Sequence, residues 1–466
     1  MLFDTPVFIF FLCLTTLAYW CLKFRAQNKF LLIASYFFYG WWDWRFLCLM
    51  IASTVIDYLI AIKISDAEDP RLRRSLLILS LVINFSILGF FKYFNFFADS
   101  LHASLSALGI QISLPLLRII LPPGISFYTF QEVAYIVDVY AGRVPASRSY
   151  WDYGLFISLF PHLIAGPIQR PSHLLPQVQK PRQWDSDKVF DGLLLILEGL
   201  FRKCVIADNC ALIANAAFGG AFGRPSLPVV LLGTYAFAWQ IYGDFSGYSD
   251  IARGCAQLLG FHFMVNFRQP YFADSIQDFW RRWHISLSTW LRDYLYIPLG
   301  GNRGSERMTY RNLLLTMLLG GLWHGANWTF VVWGALHGGS LAVERKITRG
   351  REALKIIPRW LKRILIFHLV CLSWIFFRAQ SLGEAWGMLK GIFVWSWRPE
   401  LPAAFMFLAI FSIPLFLLDI YLESSGDEYL FESASVERRI AFGLACTMLI
   451  VLLGANQANA FIYFQF

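Results

Sequence analysis

The stretch Phe279-Trp280-Arg281-Arg282-Trp283-His284-Ile285-Ser286-Leu287-Ser288-Thr289-Trp290-Leu291-Arg292-Asp293-Tyr294 decides how the rest of the chain is read. It runs on through Gly300-Gly301-Asn302-Arg303-Gly304 to Leu322-Trp323-His324-Gly325-Ala326-Asn327-Trp328. Six arginines, at 281, 282, 292, 303, 307 and 311, fall inside it, in a chain that is only 15% charged. Two of the eight histidines, His284 and His324, lie here, each directly after a tryptophan. Charged and titratable groups are costly beside lipid, so a membrane chain that keeps them generally has a use for them.

Everything outward from this stretch is apolar enough to be its container. The 466 residues are 57% hydrophobic and 18% aromatic, with a mean hydropathy of +0.52. Soluble domains run at about 45–50% apolar and about 25% charged. The departure predicts an all-α, polytopic membrane protein. No long polar stretch divides it, so residues 1–466 read as a single transmembrane domain with a core at about 279–344. The net charge of +9 sits in short loops between apolar runs. That is the pattern of cytoplasmic loops, and it argues against nucleic acid and for lipid as the partner.

The eight cysteines form no C-x-x-C pair and mostly lie in apolar runs, so they read as small buried hydrophobes, with no disulfide and no metal site. Asp4 precedes the first run, 2–22, while Lys23, Arg25 and Lys29 follow it. This is the reverse of a cleavable signal and predicts a retained helix with its N-terminus outside.

The next apolar runs are 30–42, ending in the Trp41-Trp42-Asp43-Trp44 interface cluster, then 44–64 and 75–97. Leu121-Pro122-Pro123-Gly124 interrupts the pattern before a run from Ile125 to Tyr140, and implies a bent or re-entrant entry, because proline supplies no amide donor. Pro161, Gly166 and Pro167 break the run 152–168, and Pro171, Pro176 and Pro181 make the segment to Trp184 read as irregular surface. Runs 190–207, 228–242 and 246–262 follow, the last two joined by Tyr242-Gly243-Asp244-Phe245-Ser246-Gly247-Tyr248-Ser249-Asp250. Asp244 and Asp250 fit an outer turn or intramembrane carboxylates, and a role in helix packing is the reading adopted. A loop at 345–363 with eight Lys or Arg precedes runs 363–377, 401–421 and 439–455. Basic loops inside place both termini outside, and about ten to twelve crossings fit the runs.

In 279–294, helical spacing puts Trp280, Trp283, Leu287, Trp290 and Leu291 on an apolar stripe, and Arg281, His284 and Ser288 on another face. Such a helix rests on headgroups or lines a polar cavity. The segment from the basic turn at 301–311 to the loop at 345–363 is mostly apolar and predicts a re-entrant hairpin, with Trp323-His324-Gly325-Ala326-Asn327 at its crest. If residues 324–327 are helical, Asn327 lies on the side of His324. Gly325 would let a backbone or ligand approach closely. A lone membrane histidine is often a packing residue, and His102, His262, His337 and His368 keep that reading; His162 and His173 stay open. Gly300-Gly301-Asn302-Arg303-Gly304 could cradle a phosphate with backbone amides and Arg303, although a tight turn is its commoner use. No metalloprotease, nucleophile-elbow, P-loop or dinucleotide motif is present.

Together these residues resemble the signature of the membrane-bound O-acyltransferase family. The similarity lies in Phe279–Tyr296, Gly300–Gly304 and Leu319–Trp328, with further likeness at Ala34–Trp42, Leu121–Tyr128, Phe160–Gln169 and Tyr242–Asp250. It is strongest to the bacterial subfamily of alginate O-acetyltransferase membrane subunits. The resemblance implies that His324 is the catalytic histidine and His284 the second functional one. It implies a ring of helices around a thin central layer, pierced by a tunnel.

Read this way, the chain is an inner-membrane, multi-pass acetyltransferase. It holds no bound cofactor, and acetyl-CoA is the expected donor. The acceptor is an extracytoplasmic polysaccharide such as alginate, and an esterase-like periplasmic protein is the expected partner. Neutral His324 would act as general base, while Arg281, Arg282, Ser288, Arg303, Trp323 and Asn327 contact donor or substrate. A proton-coupled transporter and a non-catalytic scaffold of an export complex are the alternative classes.

Overall fold

Every regular element among the described residues is a helix. The computed structural model describes all residues except 111–116, 118, 165, 349–356, 433, 456–460 and 463–466. Residues 349–356 of the basic loop at 345–363 therefore lie outside the described residues. The chain forms two compact units, one of Met1–Gly192 with Ala252–Met264 and one of Leu193–Ile251 with Val265–Phe466.

The first unit begins with α1 (Pro6–Trp20), α2 (Phe24–Gly40), α3 (Trp44–Asp66) and α4 (Pro70–Leu88). The local sequence explains their starts. Thr5, Asp43 and Asp69 each accept a backbone amide as N-cap, and Pro6 and Pro70 occupy the first turn, where no amide is needed. A π-turn over Gly89–Tyr93 carries α4 into α5 (Phe94–Ala107) without a break. Gly124, at φ 73°, makes the left-handed turn that opens α6 (Ile125–Tyr140). Two buried carboxyls sit here: Asp57 accepts from Ser80 and Asn84, and Glu132 from Ser53 and Thr54. Buried polar groups of this kind are tolerated only when hydrogen-bonded.

α7 (Tyr150–Ser158) and α8 (Phe160–Leu163) meet at the predicted break. The segment after them is not wholly irregular, because Pro171–Val178 is α9, which starts on a proline at a position that requires no amide. Within this unit His162 is buried and packs edge-on against Phe263 at 5.4 Å, and His173 bonds the His262 carbonyl at 2.8 Å. The cysteines are not uniformly buried: Cys13, Cys21 and Cys48 are exposed, because they fall on outward faces of their segments.

α10 (Ser186–Leu200) passes through a π-turn at Phe201–Ala207 into α11 (Asp208–Phe218). α12 (Leu227–Leu258) then runs 32 residues without interruption. The runs read as 228–242 and 246–262 are thus one helix, and of the two readings left open for Asp244 and Asp250 the outer turn does not hold. Asp244 pairs with Lys203 at 2.9 Å and Asp250 with Arg202 at 3.4 Å, and Arg202 also holds Glu198 at 2.5 Å. Once paired, the carboxylates need no water, and the helix continues through them.

α13 (Ile276–Arg282) and α14 (Ile285–Leu291) precede a π-turn at Arg292–Tyr296. α15 (Glu306–His324) and α16 (Trp328–Thr348) then form a tightly packed hairpin. Glycines permit its closeness: a Cβ at Gly321 would collide with the Phe330 carbonyl, and one at Gly334 with the Met317 carbonyl. α17 (Arg359–Arg378), α18 (Leu382–Gly391), α19 (Leu401–Ser425) and α20 (Val436–Leu453) close the chain.

An ion network ties three of these elements together. Arg282 bonds Asp278 (2.9 Å) and Glu423 (2.6 Å), and Arg363 bonds Asp274 (3.0 Å) and Glu423 (2.6 Å). Arg359 adds a contact to Asp274 at 2.7 Å. Among the described residues, four helical stretches are long and apolar enough to cross a membrane: Trp44–Asp66, Pro70–Ala107, Arg359–Arg378 and Leu401–Ser425.

Candidate active site

The stretch expected as one amphipathic helix is two, and the joint between them carries His284. α13 ends at Arg282, Trp283 is extended (φ −99°, ψ 128°), and His284 is left-handed (φ 42°, ψ 53°) before α14 begins. Only two non-glycine residues in the described chain have positive φ, Gln269 and His284. A left-handed conformation costs an ordinary residue about 1–2 kcal/mol, so the surrounding contacts must enforce it. They come from the segment before α13. The Arg268 amide donates to the Arg282 carbonyl (2.9 Å), and the Ile285 amide donates to the Asn266 carbonyl (2.9 Å). The break separates residues that a continuous helix would have aligned. Arg281 and Ser288 line a cavity, while His284 is fully buried against Phe245, Phe267, Trp323 and His324.

His324 is the last residue of α15, and Gly325 is extended. Its imidazole is 97% buried by surface area, with 3% exposed. Its ring centroid lies 6.2 Å from that of His284, 5.1 Å from Trp323 and from Trp333, and 5.4 Å from Phe377. Two imidazoles 40 positions apart in sequence thus share one aromatic chamber. Trp333 on α16 and Phe377 on α17 complete that chamber. Sequence reading missed both, because each looks like any other residue of an apolar helix.

A cavity of about 680 Å³ lies among α13, α14, α15 and α16. Its wall includes Trp280, Arg281, Ile285 and Ser288, together with Thr316 and Met317 on α15 and Glu344 and Arg345 on α16. Met317 precedes His324 by seven residues, about 10 Å along the helix at 1.5 Å per residue. Arg281 and Arg345 have no carboxylate partner among the described residues, and Arg292, also in the wall, pairs with Asp293 at 2.7 Å. Glu344 accepts the Ile276 amide at 2.6 Å, which caps α13. The cavity therefore offers guanidiniums to an anion and an apolar wall of tryptophan, leucine and methionine.

The other expected contacts fall elsewhere. Arg282 points into the ion network with Asp278 and Glu423 and does not line the cavity. Arg303 is exposed in the glycine turn and is also outside the cavity wall, although its neighbour Asn302 is in it. That turn is held by the Asn312 side chain, which donates to the Gly301 carbonyl at 3.0 Å. Asn327 does not sit on the His324 side of a helix, because the helix has ended. It accepts the Thr329 amide (3.1 Å) and donates to the Gln380 carbonyl (3.0 Å), so its side chain caps α16. The space beside Gly325 is taken by the Phe330 ring. His337 keeps its packing role, with Nε2 2.9 Å from Ser373 Oγ and its ring 4.7 Å from Trp333.

Residues 143–382 match the family model described as MBOAT, membrane-bound O-acyltransferase family. The chain belongs to the membrane-bound O-acyltransferase family. Among its relatives, a probable alginate O-acetylase of Azotobacter vinelandii is 47% identical over 396 residues, 84% of this chain and 78% of that protein. A peptidoglycan O-acetyltransferase of Helicobacter pylori is 40% identical, covering 84% of this chain and 80% of its own length. A teichoic acid D-alanyltransferase of Bacillus subtilis is 28% identical over 55% of this chain and 68% of its own length. The chain is an O-acyltransferase and a multi-pass membrane protein, which replaces the transporter and scaffold alternatives. The MBOAT match begins in the first unit and ends at Leu382, so it takes in both histidines and the whole hairpin.

Proposed function

We propose that this O-acyltransferase takes an acetyl group from cytosolic acetyl-CoA and passes it across the inner membrane for O-acetylation of an extracytoplasmic polysaccharide such as alginate. The observation that carries the reading is the paired imidazoles of His284 and His324 next to an arginine-bearing cavity. An anionic thioester would place its phosphates near Arg281 and Arg345 and its acyl end toward the histidines. Neutral His324 takes the proton of the attacking hydroxyl as the oxygen bonds to the acyl carbon. It returns the proton to the departing thiolate, so the transfer is proton-neutral. His284 orients the hydroxyl. The relatives' names supply the acceptor class, since alginate, peptidoglycan and teichoic acid all offer hydroxyl groups.

On this reading the helices form a ring of about ten to twelve crossings around a tunnel, with both termini periplasmic. A periplasmic esterase-like protein receives the acetyl group. The test is transfer from labelled acetyl-CoA by the full-length protein in sealed vesicles. Label must leave coenzyme A only when donor is supplied on the side of the basic loops. Equal transfer from either side would sink the proposed route.

A further inference from the structure

His284 is a histidine whose proton is placed by a third residue, and that residue is legible in the hydrogen bonds. The Asn266 side-chain oxygen lies 3.1 Å from His284 Nδ1, 3.2 Å from the Ser286 amide and 2.9 Å from Ser286 Oγ. The Ser286 amide can only donate, so the atom facing all three groups is the oxygen and not the nitrogen of the Asn266 amide. An oxygen can only accept. His284 Nδ1 therefore carries the hydrogen, and the proton-accepting nitrogen is Nε2. The other end of the Asn266 amide donates to Ser249 Oγ on α12 at 3.1 Å, which stops the amide from turning over. The Asn266 backbone carbonyl accepts the Ile285 amide at 2.9 Å. One residue thus holds positions 284, 285 and 286 in succession. All of the side chains involved are at least 98% buried by area, His284 and Ser286 at 0% exposed and Asn266 and Ser249 at 1%.

From this geometry we infer that Asn266 is a positioning residue for acyl transfer. It sets the tautomer and the left-handed turn of His284, so that Nε2 and not Nδ1 serves the reacting groups. This rests on the reading of His284 as part of the active site. A base held by an orienting partner is the usual arrangement around working histidines. The rings packed on His284 come from α12 (Phe245), the Asn266 segment (Phe267) and α15 (Trp323, His324), and the imidazole of His324 is the one ionisable group among them. Asp244, next to Phe245, is engaged by Lys203 at 2.9 Å.

The test uses the full-length protein in membranes and three variants. Asn266→Ala slows transfer about 10- to 100-fold, the size of effect that losing an orienting partner has on a histidine, and has no further effect in a His284→Ala background. Asn266→Asp keeps the acceptor, retains turnover, and moves the acid limb of the rate–pH profile to higher pH, because a carboxylate beside an imidazole favours its protonated form. Nitrogen NMR of labelled histidine, with the His284→Ala spectrum subtracted, shows the hydrogen on Nδ1 in the wild type and a mixture of tautomers in Asn266→Ala. A wild-type hydrogen on Nε2 overturns the proposal. So does an Asn266→Ala loss of equal size in the His284→Ala background, which would mark a purely structural role. Full activity of His284→Ala would instead defeat the active-site reading, while the NMR result on the tautomer would stand.

Discussion

His284 and His324 present their rings 6.2 Å apart from two backbone positions of opposite character. One is a left-handed residue in a break between short helices, and the other is the last residue of a 19-residue helix. Their proximity depends on the α15–α16 hairpin and the α13–α14 joint being held in register, and each part can be probed separately.

If His324 is the general base, His324→Ala lowers acyl transfer by about 10²–10⁴-fold, the usual worth of general-base catalysis. Insertion and thermal stability of the purified protein change little by comparison. Transfer within a few-fold of wild type in a correctly inserted variant would remove His324 from the chemistry.

His284 separates function from backbone strain. Asparagine tolerates the left-handed region better than most residues, so His284→Asn accumulates in the membrane at wild-type levels yet transfers acyl groups poorly. Recovery of activity in this variant would show that position 284 needs only the turn, not the imidazole.

Adjacent arginines have different roles. Arg281 lines the cavity, so on the proposed route from acetyl-CoA, Arg281→Ala raises KM for that donor with a smaller effect on kcat. Arg282 instead bonds Asp278 and Glu423, so Arg282→Ala lowers the unfolding temperature and leaves donor KM near wild type. Steady-state kinetics paired with thermal unfolding reads both, and the reverse pattern would contradict the placement of the cavity.

Close helix packing makes Gly334 sensitive. A Cβ there would meet the Met317 carbonyl, which cannot swing aside as a side chain does. Gly334→Ala is expected to destabilise the protein by about 1–3 kcal/mol, the range for overpacked interiors. At Gly339 a Cβ would meet nothing within 4 Å, so Gly339→Ala serves as the neutral control in the same unfolding assay.

The network around Asp274 predicts an acid dependence. Burial would push this carboxyl up, but hydrogen bonds from Arg359 (2.7 Å) and Arg363 (3.0 Å) outweigh that and hold it below its ordinary value. A carboxyl depressed on folding adds stability that is fully present above its unfolded value, about 3.9, and is lost as pH falls through the lower folded value. Asp274→Asn therefore unfolds more easily than wild type at neutral pH, and the gap narrows at strongly acid pH. Added salt narrows it at neutral pH as well, because the side chain is 31% exposed.

By itself the sequence determined what depends on neighbours along the chain. Apolar composition made the protein helical and membrane-bound. Gly124 and the Pro161 region marked real breaks, and the apolar stretch between two basic turns became the hairpin that carries His324. Those features follow from hydropathy, missing amide donors and glycine's freedom, which are local properties. The tertiary structure alone decided the rest. The spacing of 279–294 fits one helix, and only the Asn266 segment, bonded across the joint, turns His284 left-handed and sends Arg281 and His284 to different sides. Asp244 and Asp250 fit an outer turn as well as carboxylates within a helix until Lys203 and Arg202 pair with them inside α12. Arg281 and Arg282 are indistinguishable in sequence, and Glu423, 141 positions away, decides which one faces the cavity. In each case the deciding partner is distant in sequence, so its electrostatic or hydrogen-bonding energy is absent from any local pattern.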